Sequence, residues 1–196
     1  MRFTLVTTNK GKIEEFKNIF QEFGLKFRVE LLKTKEVQSV DLVEIASQSA
    51  LYAYNILREP VLVEDAGLFI KSLNGFPGPY SSYVYRTIGV NGILKLMESE
   101  KDRSAVFFSI IAFYGPYSGL KIFSGESRGI ISFEPRGLRG FGFDPIFIPE
   151  EGGGETYAEM DIQKKNKISH RGKAARKFAE WFSKLIDLPP PYVDIR

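Results

Sequence analysis

Two long apolar segments, joined by five turn-forming residues, constrain the fold of this chain more than any other feature. Residues 104–114 and 120–133 are rich in β-branched and aromatic side chains, and the residues between them read GPYSG. Glycine and proline in a short break between two such runs are typical of a hairpin turn. The sequence therefore predicts a long β-hairpin in the second half of the chain.

Shorter segments on either side of this hairpin alternate between strand and helix patterns. Apolar runs predict strands at residues 3–7, 27–32, 61–63, 68–70 and 146–148. Apolar side chains spaced three and four residues apart predict helices at residues 13–23, 41–57, 80–87, 93–97 and 174–186. A capping box of Asp41 and Glu44 opens the second of these helices. Because strands alternate with helices and a hairpin is also present, we expect an α/β fold with a mixed β-sheet.

The length of the chain and the absence of a linker bound its organisation. Its 196 residues are enough for one well-packed core, and no stretch rich in Ser, Gly or Pro divides them. We expect a single domain over residues 1–196, with a proline-rich tail at residues 188–196. No apolar run is long enough to span a bilayer, and the first residues become polar too early for a signal peptide. These features predict a cytoplasmic protein without a membrane partner.

Cysteine and histidine usage restricts the metal chemistry that is possible. The chain has no cysteine and one histidine, which excludes zinc sites built on sulfur and centres with several histidines. A bound metal would have to be held by oxygen, the ligand that Mg²⁺ prefers in proteins. The net charge of +3 is mild, but the basic residues between positions 164 and 177 have no acid among them. This basic run predicts a local positive field suited to a polyphosphate.

Two acids interrupt an apolar stretch in the first half of the chain. Glu64 and Asp65 lie between residues 61–63 and 68–70, at the end of a buried strand or in a break within it. A buried carboxylate is costly unless a cation or strong donors accompany it, so a metal would account for the pair. Asp65 is the better candidate for orienting and deprotonating water, and Glu64 either supports it from behind or faces the other side of the strand. The alternative is an acid at the exposed end of a strand.

A polar turn at residues 7–12 connects the first strand with the first helix. Its sequence is TTNKGK, and the free N–H groups at such a helix start, together with the positive end of the helix dipole, attract phosphate. The spacing and paired glycines of a P-loop are missing. The alternative is a capped helix start with two solvated lysines.

Aromatic, acidic and basic residues form two motifs in the last third of the chain. Residues 141–145 read FGFDP in a glycine-rich segment, whose backbone can approach a ligand closely, and a base could stack on Phe141. Residues 169–171 read SHR and supply donors for a keto oxygen. The alternatives are aromatic residues in the core and an ordinary cap before the last helix, with His170 on the surface.

Together, these four motifs resemble those of the inosine triphosphate pyrophosphatase family, in the same order and over nearly the whole chain. The loop at residues 77–80, which reads PGPY, also matches that family, and so does TYAEM at residues 156–160. The resemblance implies an elongated mixed sheet flanked by helices, with two lobes and the nucleotide site in the cleft. It implies Mg²⁺-dependent hydrolysis of non-standard purine nucleoside triphosphates (ITP, dITP and XTP) to the monophosphate and pyrophosphate. It also implies one or more Mg²⁺ ions per subunit and a homodimer, for which residues 77–85 could supply a contact.

The same resemblance assigns roles to individual residues. Asp65 would be the general base, and Asp65 and Glu36 would hold Mg²⁺. Ala66 stands where many relatives carry Ser or Thr, so that only its backbone N–H remains for the substrate. His170 and Arg171 would donate to the 6-keto oxygen of hypoxanthine and xanthine and reject the 6-amino group of adenine. The full set of residues expected to bind the substrate is Thr7, Thr8, Asn9, Lys10, Gly11, Lys12, Ala66, Phe141, Gly142, Phe143, Asp144, Lys165, His170 and Arg171.

Two other classes of protein stay open as alternatives. A non-enzymatic nucleic-acid-binding module would use the basic run and exposed aromatic side chains, but it leaves Asp65 without a role. A nucleotide pyrophosphatase of the Maf type would act on modified pyrimidine nucleotides. It would share the architecture and the metal chemistry, but not the SHR motif. We expect no stable nucleic-acid partner.

Overall fold

One mixed β-sheet runs through the part of the chain that the computed structural model describes, which is residues 2–35 and 37–186. In chain order its strands are β1 (Phe3–Val6), β2 (Phe27–Glu30), β3 (Val61–Ile70), β4 (Pro77–Gly78), β5 (Ser104–Gly115), β6 (Gly119–Ile131) and β7 (Phe147–Pro149). Across the sheet the order is β2-β1-β3-β5-β6-β7, and β4 pairs with β3. β1 is parallel to β2 and to β3, and the other pairings are antiparallel. The predicted hairpin is β5 and β6, and the mixed sheet is confirmed.

Helices flank this sheet on both faces. Those in the described residues are α1 (Lys10–Glu22), α2 (Leu42–Leu57), α3 (Ser81–Thr87), α4 (Gly89–Leu96), α5 (Ile162–Ile168) and α6 (His170–Ile186). Short 3₁₀ segments occupy Lys71–Leu73, Asp144–Ile146 and Glu150–Gly152. Among the described residues, none of the helices combines the length and the apolar character that a membrane crossing requires.

The side chains of β3 separate two apolar layers. Leu62 packs with α1 and α6 on one face, whereas Val61 and Val63 pack against α2 on the other. The first layer is largely aromatic: the ring centroid of Phe3 lies 5.6 Å from that of Phe20 in α1 and 5.0 Å from that of Phe178 in α6. Burying each such side chain contributes roughly 1.5–3 kcal/mol. α1 and α6 are therefore packed firmly against this face of the sheet.

A third apolar cluster builds the second lobe at the far end of β3. It joins Leu68 of β3 to Ile93 of α4, Phe107 of β5 and Phe147 of β7. Residues 64–67 belong to none of the three clusters, whose buried members on β3 are residues 61–63 on one side of this stretch and Leu68 and Ile70 on the other. This short stretch of β3 therefore lies between the two lobes, at the cleft where the nucleotide site was expected.

The strand that carries Glu64 and Asp65 has neither an end nor a break at these acids. β3 is continuous from Val61 to Ile70 and pairs with β5 along its whole length. Both positions considered for the acids were therefore wrong, as was an exposed strand end. The extended apolar run of β5 supplies pairing partners on either side of the acids, and this long-range pairing overrides the local change in polarity.

The helices differ from the prediction in a cap, in a missed helix and in several boundaries. α1 begins at Lys10 rather than at residue 13, and α4 begins at Gly89 rather than at residue 93. Asp41 caps α2 by accepting a hydrogen bond from the N–H of Val43 at 2.7 Å, but Glu44 accepts from the hydroxyl of Ser39, so the predicted capping box is wrong. α5 was not predicted, and α6 begins at His170 rather than at residue 174. The tail at residues 188–196 lies outside the described residues. The single domain over residues 1–196 stays a prediction.

Candidate active site

A cavity of about 580 Å³ opens in the cleft beside the central residues of β3. Its wall is formed by the loop after β1, the start of α1, the region of α3, the loop before β7 and the start of α6. The predicted site residues that line it are Thr7, Thr8, Asn9, Lys12, Asp65, Ala66, Phe141, Gly142, Phe143, Asp144, His170 and Arg171. The four predicted motifs, which are distant from one another in the sequence, therefore meet in one place.

Three other predicted residues do not line this cavity, and the structure does not describe a fourth. Lys10, Gly11 and Lys165 are not among the residues of the cavity wall, and Glu36 lies outside the part of the chain that the structure describes. A second cavity of about 470 Å³ lies near the ends of β3 and β6. None of the predicted residues described here lines that second cavity.

The loop after β1 brings a helix start and one anchored lysine to the wall. Asn9 caps α1, because its side-chain oxygen accepts from the backbone N–H of Lys12 at 3.1 Å. The ammonium of Lys12 donates to the backbone oxygen of Glu64 at 2.9 Å and lies 2.8 Å from the carboxylate Oε2 of the same residue. The cap at Asn9 confirms one part of the alternative interpretation, namely that residues 7–12 contain a capped helix start. Lys12 is not simply solvated, however, and a helix start with such a lysine is suited to anions.

Glu64 and Asp65 point to opposite faces of β3, as neighbouring strand residues do. Glu64 is buried; burial opposes its ionisation, but the charges of Arg171 and Lys12 outweigh this and hold the pKa of Glu64 well below its usual range. Asp65 is half-buried, lines the cavity and accepts a hydrogen bond on Oδ1 from the N–H of Ala66 at 3.0 Å. Both acids line the cavity, but the side chain of Glu64 is only 1% exposed, so Asp65 is the more accessible of the two to a metal or water.

Six charged side chains, four of them on the cavity wall and two not, form what we name the buried ionic chain. In order of contact they are Lys12, Glu64, Arg171, Glu15, Lys165 and Asp144. Glu15 lies 2.5 Å from Nη1 of Arg171 through one oxygen and 2.7 Å from Nζ of Lys165 through the other. Lys165 in turn lies 2.5 Å from Oδ2 of Asp144, which also accepts from the N–H of Phe141 at 2.8 Å. Charges of opposite sign alternate along the whole chain.

The pairing outweighs burial at Lys165 and Glu15, whereas burial prevails at Asp144 and raises the pKa of that carboxyl group. Desolvation alone would lower the pKa of Lys165, but the charges of Asp144 and Glu15 outweigh it and raise this pKa. In the same way, Arg171 and Lys165 overcome the effect of burial on Glu15 and lower its pKa. The ammonium of Lys165 is therefore engaged inside the protein.

Glu15 belongs to no predicted motif, although the sequence carried a signal for it. It lies on the buried face of α1 together with Phe16, Ile19 and Phe20. An acid within the apolar stripe of a helix needs a cationic partner. The pattern pointed to a buried acid, but it could not name Arg171 and Lys165 as the partners.

Phe141 lies against the start of α1. A Cβ atom built on Gly11 would come 2.2 Å from Cδ1 of the Phe141 ring, so only glycine leaves room for the ring at this point. Nζ of Lys165 and Cζ of Arg171 lie 5.1 and 5.3 Å from the ring centroid. Phe141 is half-buried, whereas Phe143 is 3% exposed and belongs to the third core cluster. Phe141 is thus the better stacking surface, and Phe143 packs chiefly as a core residue.

The SHR motif contributes a helix cap and two buried side chains. The hydroxyl of Ser169 accepts from the N–H of Gly172 at 3.0 Å, as in the cap interpretation. The surface position considered for His170 is wrong: it is 3% exposed, and its ring stacks on Phe107 with centroids 4.5 Å apart and an angle of 8°. Burial, followed by the charge of Arg171, lowers the pKa of His170 well below its ordinary value. Its imidazole is neutral at physiological pH.

We expect this histidine to make the protein less stable as the pH falls below about 6.5. His170 stays neutral in the folded state because its pKa is lowered, whereas the unfolded chain binds a proton there. The free energy of unfolding then decreases by up to about 1.4 kcal/mol per pH unit. Denaturant unfolding of the wild type and His170→Gln between about pH 7 and pH 5 measures this effect. His170 is the only histidine of the chain, so equal slopes for the two proteins would contradict the assignment.

Several cavity residues belong to no predicted motif. From α3 they include Tyr83, Tyr85 and Arg86, and from the segment after β2 they include Lys33 and Thr34. The sequence indicated the helix and the loop before it, but not that this helix faces the cleft. That placement follows from the packing of the second lobe.

The basic run is not the open positive field that was predicted. Five of its seven cations pair with acids in the described structure: Lys164 with Glu155, Lys165 with Glu15 and Asp144, Arg171 with Glu15 and Glu64, Lys173 with Glu151, and Arg176 with Glu22. The acids come from other segments, which the local count of charges could not include. This pairing removes most of the charge that a nucleic-acid surface would need.

Comparisons with known proteins agree with the fold and the motifs. A sequence model of the Ham1 family matches residues 3–181, and the chain belongs to this family. It is 51% identical over 177 residues to the dITP/XTP pyrophosphatase of Hyperthermus butylicus, covering 90% of this chain and 92% of that protein. It is 50% identical over 182 residues to the dITP/XTP pyrophosphatase of Methanopyrus kandleri, covering 93% and 96%. A HAM1 protein from Coxiella burnetii has a similar structure, with a TM-score of 0.83, 31% identity and coverage of 94% and 99%.

Proposed function

We propose that this chain is an Mg²⁺-dependent pyrophosphatase that hydrolyses non-standard purine nucleoside triphosphates such as ITP, dITP and XTP to the monophosphate and pyrophosphate. The observation that carries the proposal is the position of Asp65, a half-buried acid in a cavity that Lys12, Phe141 and His170 also line. The relatives from Hyperthermus and Methanopyrus, which carry the name dITP/XTP pyrophosphatase, support the same reaction. Such an activity would cleanse the nucleotide pool.

The groups around the cavity suit the two halves of such a substrate. The start of α1 and Lys12 would bind phosphate oxygens, and Phe141 would stack on the base. Arg171 is held by Glu15 through Nη1 and by Glu64 through Nε, so that its remaining N–H groups have a fixed direction. Because neutral His170 also has one N–H, the pair can donate to a 6-keto oxygen but mismatches the 6-amino group of adenine.

The described residues fit a hard cation that is held largely by the substrate. Within them, no three His, Cys, Asp or Glu side chains form a group that could enclose a metal. Asp65 presents carboxylate oxygens to the cavity, and Mg²⁺ commonly takes one or two carboxylates together with water and phosphate oxygens. Asp65 would hold each ion together with Glu36, which is not among the residues that the structure describes. Bound Mg²⁺ would neutralise part of the negative charge on the triphosphate.

The reaction is attack of water at the α-phosphorus. Asp65 accepts a proton from the water while the new phosphorus–oxygen bond forms. The bond from the α-phosphorus to the bridging oxygen breaks, and pyrophosphate leaves with the bonding electrons. Lys12 and the N–H groups at the start of α1 would offset the negative charge. Positioning and charge compensation are therefore the main tasks of the protein.

We also propose that the chain forms one domain over residues 1–196, acts in the cytoplasm and pairs with a second copy through residues 77–85. Tyr80, Tyr83 and Tyr85 in and before α3 are 46%, 62% and 43% exposed, and aromatic side chains are enriched at protein interfaces. Sedimentation of the purified protein tests the pairing, and a monomer at all accessible concentrations would rule it out.

A panel of nucleoside triphosphates, assayed for released pyrophosphate with and without Mg²⁺, tests the proposed activity. We expect kcat/KM for ITP, dITP and XTP to exceed that for ATP by about 10⁴-fold, because adenine leaves polar groups unpaired. GTP should carry a smaller penalty of about 1–3 kcal/mol, since only its 2-amino group differs. Removal of the metal should abolish turnover. Preference for modified pyrimidine nucleotides would favour the Maf type, and nucleic-acid binding without hydrolysis would favour the non-enzymatic module.

A further inference from the structure

We propose that Glu64 is a positioning residue that couples recognition of the purine base to binding of the phosphates. It would do so by fixing the ammonium of Lys12 and the guanidinium of Arg171 relative to each other. The inference rests on the proposed function and deepens it, because it gives the buried acid of β3 a part in specificity. Asp65, its neighbour, retains the part in the chemical step.

Each carboxylate oxygen of Glu64 has its own partners. Oε1 accepts a hydrogen bond from the hydroxyl of Ser109 at 2.6 Å and lies 3.2 Å from Nε of Arg171. Oε2 lies 2.8 Å from Nζ of Lys12. Ser109 is fully buried in β5, so it anchors the carboxylate to the sheet. The carboxylate cannot rotate without loss of at least one of these contacts.

The two cations bound by Glu64 face different parts of the proposed substrate. The side chain of Lys12 is 17% exposed and lines the cavity, so it can contact a phosphate while it stays beside Glu64. Arg171 also lines the cavity, and its Cζ lies 5.3 Å from the centroid of the Phe141 ring, where the base would stack. Glu64 therefore stands between the phosphate contact and the base contact.

A direct role of Glu64 as a metal ligand does not fit these contacts. A metal ion bound to its oxygens would lie close to both Lys12 and Arg171, and the three like charges would repel one another in a buried site. Asp65 points to the other face of β3 and lines the cavity. The two neighbouring acids thus divide their tasks.

Coupling follows from the shared charge of Glu64. When a phosphate binds Lys12, the ammonium interacts less strongly with Glu64. The carboxylate of Glu64 then attracts Nε of Arg171 more strongly. A guanidinium that is held in one orientation loses less freedom when a base binds to it. Phosphate should therefore strengthen base binding, and by thermodynamic linkage base should strengthen phosphate binding by the same factor.

The two halves of the substrate test this coupling without hydrolysis. Calorimetry measures the affinity for inosine with and without saturating inorganic tripolyphosphate, in the presence of Mg²⁺. For the wild type, we expect inosine to bind at least about fivefold more tightly when tripolyphosphate is present. In Glu64→Gln, which keeps the shape of the side chain but removes its charge, the ratio should approach one. An unchanged ratio in this variant, or no coupling in the wild type, overturns the inference.

Two further variants guard against a folding defect. Ser109→Ala keeps the charge of Glu64 but removes the hydroxyl that anchors its carboxylate. This variant should reduce the coupling ratio at least about twofold. An unchanged ratio overturns the inference even if Glu64→Gln does not fold. Glu22→Gln is the matched control, because Glu22 pairs α1 with Arg176 of α6 at 2.5 Å and lies outside the cavity wall. It should keep the wild-type ratio. Absence of ITP hydrolysis by the wild type would instead contradict the proposed function.

Discussion

Asp65→Asn should lower kcat for ITP by about 10²–10⁴-fold, the contribution of general-base assistance, while the protein stays folded. The amide has nearly the shape of the carboxylate but cannot take a proton from the attacking water. The side chain is half-buried and accepts from the N–H of Ala66 at 3.0 Å, a bond that an amide oxygen can keep. Loss of turnover should therefore come with little change in thermal stability.

Single-turnover rates with ITP measure the expected loss of turnover, and thermal unfolding curves measure the expected constancy of stability. The control is Asp41→Asn, because Asp41 caps α2 outside the cavity wall and asparagine is an equally good cap. Its turnover should match the wild type. Near-normal turnover of Asp65→Asn would remove Asp65 as the base. Recovery of turnover at high Mg²⁺ concentration would show that the residue acts as a metal ligand alone.

Sequence patterns predicted those helices and strands that are specified by residues close together in the sequence. The β5–β6 hairpin follows from two long runs of strand-forming residues around a turn, and α1 follows from its apolar spacing and the cap at Asn9. α5 was missed because its seven residues carry three lysines and too few apolar positions to show a period. It is held in place by packing, since Lys165 and Asn166 on it are buried. No periodicity within the segment could reveal those contacts.

The motifs located most of the candidate site, because each lies at the point where an element ends at the cleft or crosses it. They could not show how charges pair across the molecule. Arg171 meets Glu15 although 156 positions separate them in the sequence. For the same reason, Lys165 was named as a residue near the substrate, whereas its direction toward Glu15 and Asp144 depends on how α1 and α5 pack.

Lys165→Met should destabilise the protein by about 3–5 kcal/mol, because it leaves buried acids without their shared cation. The ammonium is 4% exposed and lies 2.7 Å from Glu15 and 2.5 Å from Asp144. Methionine fills the space but cannot compensate either charge. At roughly 2–4 °C per kcal/mol for a chain of this size, Tm should fall by about 6–20 °C.

Lys164→Met is the matched control for this effect. Lys164 is the neighbouring residue on α5, but its pair with Glu155 is at the surface, with the two side chains 45% and 46% exposed. Such pairs contribute about 0–1 kcal/mol, so this variant should unfold close to the wild type. A small stability change in Lys165→Met with a raised KM for ITP would instead place the ammonium on the substrate.

A second substitution tests whether the loss in Lys165→Met arises from charge. Adding Asp144→Asn removes one uncompensated acid, while Glu15 keeps Arg171 as its partner at 2.5 Å. The acids and bases that remain in the buried ionic chain are then equal in number. The double variant should accordingly be more stable than Lys165→Met alone, with a coupling energy between the two positions of about 0.5–3 kcal/mol. Strictly additive losses would show that volume and packing, rather than the alternation of charge, make Lys165 necessary.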